Sequence, residues 1–218
     1  MNWNWQFAWH ILPSLLRGLV VTVEATIAGM ALALIIGLLW AGMAFSGRRW
    51  LVWPARGIVE FIRNTPLLIQ LFFLYYVMPE FHFQLSALTT GIVALGLNYS
   101  TYTAETYRAG LQNVPRGQRE AAQALNLPGH WTIVDIILPQ ALVPMIPALG
   151  NNLIAMFKDT PLLSTITVAE MMQRALVIGD RTFRYVEPIT MVGLLFLIVS
   201  LVSSVIVNRC EHFTRPRS

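Results

Sequence analysis

The chain is built around the stretch Glu120-Ala121-Ala122-Gln123-Ala124-Leu125-Asn126-Leu127, which is followed further along by Leu138-Pro139-Gln140-Ala141. Charged and titratable side chains are frequent around it, at Arg108, Arg116, Arg119, Glu120, His130 and Asp135. Each charge at the centre of a hydrocarbon layer costs about 2.5–3.5 kcal/mol on insertion scales. The interval 108–135 is therefore predicted to lie outside the hydrocarbon core, as a connector between apolar, membrane-length segments.

Within this connector the residues favour two short helices separated by a turn. Residues 118–125 are rich in Ala, Gln and Glu, which are good helix formers. Asn126 tolerates the left-handed conformation that ends many helices, and Pro128-Gly129 prevents continuation. A second short helix is predicted over about 130–139. The alanines would let another protein approach the first helix closely, but an inert exposed connector explains these residues equally well.

The composition is that of a polytopic membrane protein. Of 218 residues, 56% are hydrophobic and 12% are charged, whereas soluble domains carry about 25% charged residues. The mean hydropathy is +0.58. The net charge of +4 is assigned to membrane orientation rather than to nucleic-acid binding, because the basic residues lie in connectors. The single cysteine, Cys210, excludes an internal disulfide and a cysteine metal cluster.

Five apolar segments are predicted to be the transmembrane helices of an all-α, one-domain protein. They cover about 19–45, 58–78, 87–107, 140–157 and 188–207. The short connectors 46–56 and 108–132 and the tail after the fifth span are rich in Arg, which predicts that they are cytoplasmic. The N-terminus is then outside and the C-terminus inside.

The two ends of the chain are predicted to lie outside the transmembrane domain, which covers 19–208 and includes the cytoplasmic loop 111–139. Residues 1–11 contain three Trp and no Lys or Arg. This pattern predicts that 1–18 is an interfacial segment on the outer side rather than a cleavable signal peptide. Residues 209–218 are predicted to be a cytoplasmic tail.

Polar side chains inside apolar spans usually face a bundle interior or a water-filled path. Asn98 and Tyr99 lie near the middle of the third span, which makes them the candidates for a solute path. A hydrogen bond from Asn98 to a neighbouring helix is an equally open interpretation. Glu105 and Arg108 are three residues apart, and we expect them to form a structural ion pair near the cytoplasmic end.

Two segments of the chain resemble each other: Arg63-Asn64-Thr65-Pro66-Leu67-Leu68 and Lys158-Asp159-Thr160-Pro161-Leu162-Leu163. We call them the first and second Thr-Pro segments. Asp159 and Thr160 are predicted to cap a helix that begins near Pro161 and runs towards Glu170. The free N–H groups of such a helix would attract a solute carboxylate, and Glu170 would bind the cationic group. Coincidence in a Leu-rich chain, or a gating or packing role, remains open.

The spacing of Glu120-Ala121-Ala122, Leu125 and Leu138-Pro139-Gln140-Ala141 resembles the EAA loop of permease subunits of binding-protein-dependent ABC importers. In that family the loop forms a coupling helix that docks into a cleft of the ATPase subunit. The resemblance assigns ATPase coupling to Glu120, Ala121, Ala122, Leu125, Asn126 and Leu127. The family usually has Gly at the position of Asn126, and Asn suits the same backbone conformation.

Both Thr-Pro segments resemble segments of the polar amino-acid uptake permeases, of the histidine, glutamine and glutamate type. This resemblance covers about 15–210. It implies the ABC type I importer permease fold in a bacterial inner membrane and transport of a polar amino acid or related zwitterion. It also implies an ABC ATPase, a second permease subunit that is identical or related, and an external solute-binding protein as partners, with lipid around the chain. Residues 182–188 resemble ectoine and hydroxyectoine uptake permeases.

Two other functions compete with transport driven by a partner. The sequence lacks Gly-x-x-x-x-Gly-Lys-Ser/Thr, so ATP is expected to bind a partner, and this chain is expected to hold no cofactor and no metal. A membrane-embedded enzyme would have to use Asp159, Glu170 and His130, which no known catalytic motif supports. An ion-coupled secondary carrier would use Glu24 or Glu105, but five spans are few for it and the loop would be unexplained.

Overall fold

The computed structural model describes residues 3–214, and the side chains of residues 3–210. Nine α-helices lie in this part of the chain, which has no strands. They are α1 (Trp5–Phe45), α2 (Arg49–Asn64), α3 (Leu67–Phe72), α4 (Ala87–Asn113), α5 (Arg116–Ala124), α6 (Gly129–Trp131), α7 (Leu138–Asp159), α8 (Met171–Thr182) and α9 (Val186–Thr214). A π-helical turn followed by a 3-10 turn extends α3 to Phe81. A π-helical turn, Thr132–Ile137, joins α6 to α7, and a 3-10 helix, Thr160–Ile166, continues α7.

Each of the five predicted spans corresponds to a helix, although several bounds differ from the prediction. The helices Trp5–Phe45, Gly129–Ile166 and Val186–Cys210 are each long and apolar enough to cross a membrane. The bent pair α2 and α3 passes the same test when its two helices are counted together. α4 has 27 residues, which is sufficient length, but its second half is polar. Residues 5–18 continue the first span as helix rather than forming a separate segment.

The predicted second helix of the connector is not a separate element. α6 passes through a wider helical turn, Thr132–Ile137, directly into α7, so 129–166 forms one continuous helical rod. Nothing in 132–138 interrupts the backbone hydrogen bonds, and Pro139 stands at the start of α7, where its missing N–H costs little. The fourth span therefore begins well before residue 140.

The predicted second span is wrong in its first half. Residues 58–64 belong to α2, and α2 is bent by 102° from the helical stretch Leu67–Phe81. The break lies at Thr65, whose backbone is extended (φ −96°, ψ 128°), as expected for a residue that precedes a proline. Only the part after Pro66 continues towards the other side of the membrane.

The core forms where α1 packs against α4, with α7 on the other side of α4 and α9 against α7. Buried residues include Ala25, Met30, Leu95, Met156 and Leu163. Gly37 allows the closest approach, since a Cβ there would lie 2.0 Å from the hydroxyl of Thr103. That hydroxyl donates a 2.8 Å hydrogen bond to the carbonyl of Ala33, so a polar contact joins α1 to α4 inside the apolar core.

Candidate functional site

The connector between α4 and α6 presents α5 as a short helix with a defined end. The N–H of Leu127 bonds to the carbonyl of Ala122 at 3.0 Å, and the N–H of Asn126 bonds to that of Gln123 at 2.9 Å. This pair of bonds is the Schellman arrangement, which requires a left-handed residue after the helix. Asn126 has φ 51°, so the predicted helix end is confirmed.

Around α5 the surface combines one carboxylate with several exposed apolar side chains. We call it the coupling surface, and it consists of Glu120, Leu125, Leu127, Trp131 and Val134. Leu125 is 73% exposed. Ala121 is also exposed, whereas Ala122 is buried. Contiguous exposed apolar side chains rimmed by charge are typical of a protein-protein contact.

A small apolar cluster ties this surface to the spans. Val114, Ile137, Ala141 and Met145 are buried against one another, with Tyr107 of α4 packed beside them. They lie on both sides of α5 in the sequence, and they pack the end of α4 against the start of α7. α5 itself contacts the turn Thr132–Ile137, which includes the buried Ile137 of this cluster.

Two of the predicted path residues meet at the end of α7. The phenolic hydroxyl of Tyr99, on α4, donates a 2.7 Å hydrogen bond to Oδ2 of Asp159. Tyr99 is buried and Asp159 is half-buried. Asn98, which precedes Tyr99, is also buried. Within the described residues its side chain makes no hydrogen bond to a neighbouring helix.

The prediction that Asp159 and Thr160 cap the following helix is wrong, and the threonine of the first segment behaves in the same way as Thr160. The hydroxyl of Thr65 donates to the carbonyl of Phe61 at 2.8 Å, and the hydroxyl of Thr160 donates to that of Phe157 at 2.7 Å. Each threonine therefore closes the last turn of the preceding helix. Asp159 makes no capping bond to the turn after it. The carboxylate bonds to Tyr99 instead, because that donor lies next to it across the helix interface.

Glu170 does not lie at the end of the helix predicted from Pro161. That short helix ends at Ile166, and Thr167 follows in the left-handed conformation (φ 63°). Glu170 begins α8 instead, and its carboxylate accepts from the N–H groups of Met172 at 2.8 Å and Gln173 at 2.6 Å. Its side chain is fully buried, so it cannot bind a solute as predicted.

Packing against α1 explains the burial of Glu170. The start of α8 lies against Gly18, where an added Cβ would meet the backbone of Met171 at 2.7 Å. The hydroxyl of Thr22 accepts a hydrogen bond from the N–H of Met171 at 3.3 Å. Desolvation raises the pKa of Glu170 to about 6, although hydrogen bonds from the backbone and from Thr22 act in the opposite direction. Glu is an uncommon N-cap, so no local residue pattern indicated this role.

A charged cavity of about 410 Å³ lies between α1, α2 and α4, and sequence reasoning did not predict it. Its charged lining consists of Arg56, Glu60, Arg63, Glu105 and Arg108. The predicted pair of Glu105 and Arg108 is confirmed, with Nε donating to Oε2 at 2.9 Å. The guanidinium of Arg63 stands 5.5 Å from the centre of the Tyr102 ring. The positions 56, 60 and 63 share one helical face, and this spacing is the sequence signal that could have indicated the lining.

Within residues 3–210, no group of three or more His, Cys, Asp or Glu side chains is arranged to hold a metal ion. The polar groups described above are hydrogen-bonding side chains, aromatic rings and charges.

The comparisons with known proteins agree over almost the whole chain. The model of the binding-protein-dependent transport system inner membrane component family matches residues 33–215. The chain is 48% identical over 207 residues to a probable amino-acid ABC transporter permease of Sinorhizobium fredii, covering 95% of this chain and 90% of that protein. It is 36% identical over 215 residues to the glutamine transport system permease of Escherichia coli, with coverage of 97% and 98%.

A solved structure of an amino acid ABC transporter with histidines superposes on this chain with a TM-score of 0.93. The two chains are 32% identical, and the match covers 97% of this chain and 99% of that one. The structural similarity therefore extends over nearly all of the helices described above.

Proposed function

The chain belongs to the family of binding-protein-dependent transport system inner membrane components, and from that premise we propose that it carries a polar amino acid across the inner membrane. It is an ABC importer permease of the type I fold. A solute-binding protein delivers the solute on the outside, and an ATPase on the inside supplies the energy. A second permease subunit completes the transmembrane path. This chain performs no catalysis and holds no cofactor, since ATP is bound by the ATPase.

The coupling surface carries this proposal. Its exposed apolar side chains lie in the same connector as Glu120, and α5 contacts the turn Thr132–Ile137, whose buried Ile137 packs with the end of α4 and the start of α7. Glu120, Ala121 and the exposed Leu125 contact the ATPase, while Ala122 lets α5 pack closely on its own chain. Asn126 and Leu127 hold the helix end. Movement of the ATPase then reaches the spans through α4 and α7.

The orientation follows from the same assignment. The coupling loop, 111–139, is cytoplasmic, with the N-terminus outside and the C-terminus in the cytoplasm. Residues 19–208 form the permease domain, 1–18 precede it on the outer side, and 209–218 are a cytoplasmic tail, of which 215–218 lie outside the described residues. The arginines of 46–56 and of the coupling loop favour this orientation over its inverse.

The solute path includes Asn98, Tyr99 and Asp159. Thr160, which follows Asp159 in the sequence, is buried next to this path. Asp159 is the acidic group best placed to bind a cationic amino group, because it is half-buried and its carboxylate keeps an oxygen that Tyr99 does not use. The amide of Asn98 offers a donor and an acceptor to the rest of the solute. Thr160 fixes the end of α7 rather than contacting the solute.

A polar amino acid is the solute class best supported, because the relatives named above are amino-acid and glutamine permeases. Residues 182–188 were the basis for ectoine as an alternative. In the structure this stretch closes the connection between α8 and α9, where Glu187 pairs with Arg184. It therefore has a structural role that does not depend on which zwitterion is carried.

Coupling is tested with Glu120→Ala in proteoliposomes that contain the complete transporter. Loss of one partner of a buried charged pair costs about 2–5 kcal/mol, so we expect solute-stimulated ATP hydrolysis to fall by more than about tenfold. Gln118→Ala, on the opposite side of the same short helix, is the matched control and should hydrolyse ATP normally. Full stimulation in Glu120→Ala would remove this carboxylate from coupling.

The solute path is tested with Asp159→Asn, which removes the charge but keeps an acceptor for Tyr99. We expect the KM for uptake to rise by about tenfold, as for a charged hydrogen bond of about 1.5 kcal/mol. Asp180→Asn, in the connector after α8, is the control and should transport normally. Uptake that continues without ATP would instead favour an ion-coupled carrier.

A further inference from the structure

α2 has an apolar stripe that none of the described residues covers. Trp50, Pro54, Ile58 and Phe61 recur at helical spacing and share one face of the helix. Trp50 is 68% exposed and Phe61 is 72% exposed. Exposed aromatic side chains of this size on one continuous stripe indicate an apolar environment outside the chain.

A different face of α2 packs on the protein. Ala55 is buried and Val52 and Val59 are half-buried, where α2 contacts α1 and α4. On a third face, Glu60 and Arg63 line the charged cavity. The exposed stripe therefore points away from the bundle and is not a loosely packed part of the core.

Arginines lie at the start of α2 and on its polar face, and Trp53 lies between this face and the stripe. Arg48 and Arg49 are exposed, and among the described residues neither has a carboxylate within 4 Å. Trp53, which is 76% exposed, lies between Arg49 and Arg56 on the same side of the helix. Tryptophan beside uncompensated arginine is the pattern of a surface at the level of lipid headgroups.

The bend of the chain gives α2 the direction of a helix that lies on a membrane. α2 is turned by 102° from the stretch Leu67–Phe81, which is the apolar part of the predicted second span. A helix nearly perpendicular to a crossing segment runs along the membrane surface. Arg49, Arg56, Glu60 and Arg63 would also make a crossing by α2 itself very costly.

We propose that α2 lies in the cytoplasmic lipid-water interface, with its apolar stripe among the acyl chains and Arg48 and Arg49 bound to anionic lipid headgroups. The leaflet rests on the orientation proposed above, whereas the lipid contact does not depend on the solute. A second copy of this chain fits the face less well, because a symmetric contact would bring the same arginines together. Anionic phosphates complement both the charge and the position of these side chains.

The depth of α2 is measured by spin labels in nanodiscs that contain the complete transporter, on a Cys210→Ser background. Labels at Ile58→Cys and Phe61→Cys test the stripe, and a label at Glu60→Cys is the control on the polar side. We expect the stripe labels to be relaxed mainly by oxygen, which dissolves in lipid, and the control mainly by a water-soluble nickel complex. Stripe labels shielded from both reagents would mean that a protein subunit covers the stripe. Relaxation of the stripe labels and the control label alike by the nickel complex would mean that the stripe faces water. Either result overturns the proposal.

Headgroup binding is measured with a fluorophore at Gly57→Cys, where an added side chain meets no atom within 4 Å. Nanodiscs contain brominated phosphatidylglycerol or, at equal mole fraction, brominated phosphatidylcholine. We expect stronger quenching by the anionic lipid, a local enrichment of about fivefold per arginine that weakens at high salt. Combined Arg48→Gln and Arg49→Gln should abolish the difference, while Arg119→Gln on α5 should not. Equal quenching by the two lipids in the unmodified protein would overturn the headgroup part.

Discussion

The first and second Thr-Pro segments have nearly the same side chains and different backbones. In the first, Thr65 is extended and the chain turns by 102° before α3 begins. In the second, Thr160 is helical (φ −58°, ψ −28°) and the rod continues through Ile166. A proline disfavours the helical conformation in the residue before it. Thr65 follows that local preference, and Thr160 violates it.

Their surroundings explain why the two segments differ. Thr160 is fully buried, and its neighbour Asp159 is bonded to Tyr99 of another helix. Asn64 of the first segment is exposed and bonds only to its own helix, at the carbonyl of Glu60. Packing supplies free energy that offsets the unfavourable backbone conformation in the second segment and is missing in the first. The same residues therefore form a bend in one place and a continuous helix in the other.

Removal of the hydrogen bond between Tyr99 and Asp159, which has no counterpart in the first segment, should have the largest effect on stability. Tyr99→Phe deletes the donor and leaves the half-buried carboxylate of Asp159 without it. A hydrogen bond to a charged group contributes about 1.5–3 kcal/mol, and we expect a loss of that size in the stability of the assembled transporter. Thermal unfolding in nanodiscs measures it.

Tyr76→Phe is the control for this change, because the Tyr76 hydroxyl makes only a long, exposed contact of 3.5 Å to the carbonyl of Thr165. It should unfold at nearly the same temperature as the unmodified protein. An equal loss in the two variants would mean that the Asp159 contact does not hold the second segment.

The two threonines allow a matched comparison of intermediate size. Thr160→Val and Thr65→Val each delete a hydroxyl that bonds to the preceding turn. We expect Thr160→Val to cost about 1 kcal/mol, since the carbonyl of Phe157 is then buried with one bond fewer. Thr65→Val should cost less than about 0.5 kcal/mol, because water can replace its bond. Thermal unfolding of both variants in one membrane composition gives the ratio, and equal values would remove burial as the cause of the difference.

The prolines should have the smallest energetic effect and the clearest structural one. Pro66→Ala removes the constraint that keeps Thr65 extended, so we expect a straighter junction between α2 and α3 and a loss of about 0.4–1 kcal/mol. In Pro161→Ala we expect this loss of stability to be offset, because the helical conformation of Thr160 is no longer disfavoured by a following proline. Distances between spin labels at Gly57→Cys and Glu80→Cys measure the junction.

An unchanged distance in Pro66→Ala would show that another contact holds the bend. The lipid contact proposed for α2 is the natural candidate. Repeating the measurement in detergent, without the bilayer, separates the two explanations, since the bend would then relax only when lipid is removed.

Several elements were predictable because their signals are local. The end of α5 at Asn126 follows from helix formers, a residue that accepts positive φ, and Pro128 beyond it. The ion pair of Glu105 and Arg108 follows from their spacing on one helix. In contrast, the roles of Asp159 and Glu170 depended on which helices lie beside them. The carboxylate of Asp159 accepts a hydrogen bond from Tyr99, and that of Glu170 is the buried N-cap of α8.

The sequence by itself determined the class of molecule, the family and the position of the coupling loop, because hydropathy, charge placement and short motifs act within a few residues of one another. The tertiary structure alone decided how the helices end, where the chain bends and which acidic group is buried. These outcomes depend on contacts between residues far apart in the chain, such as Thr22 with Met171 and Tyr99 with Asp159. Their free energies are comparable to the local preferences they override, so no local pattern can reveal which one prevails.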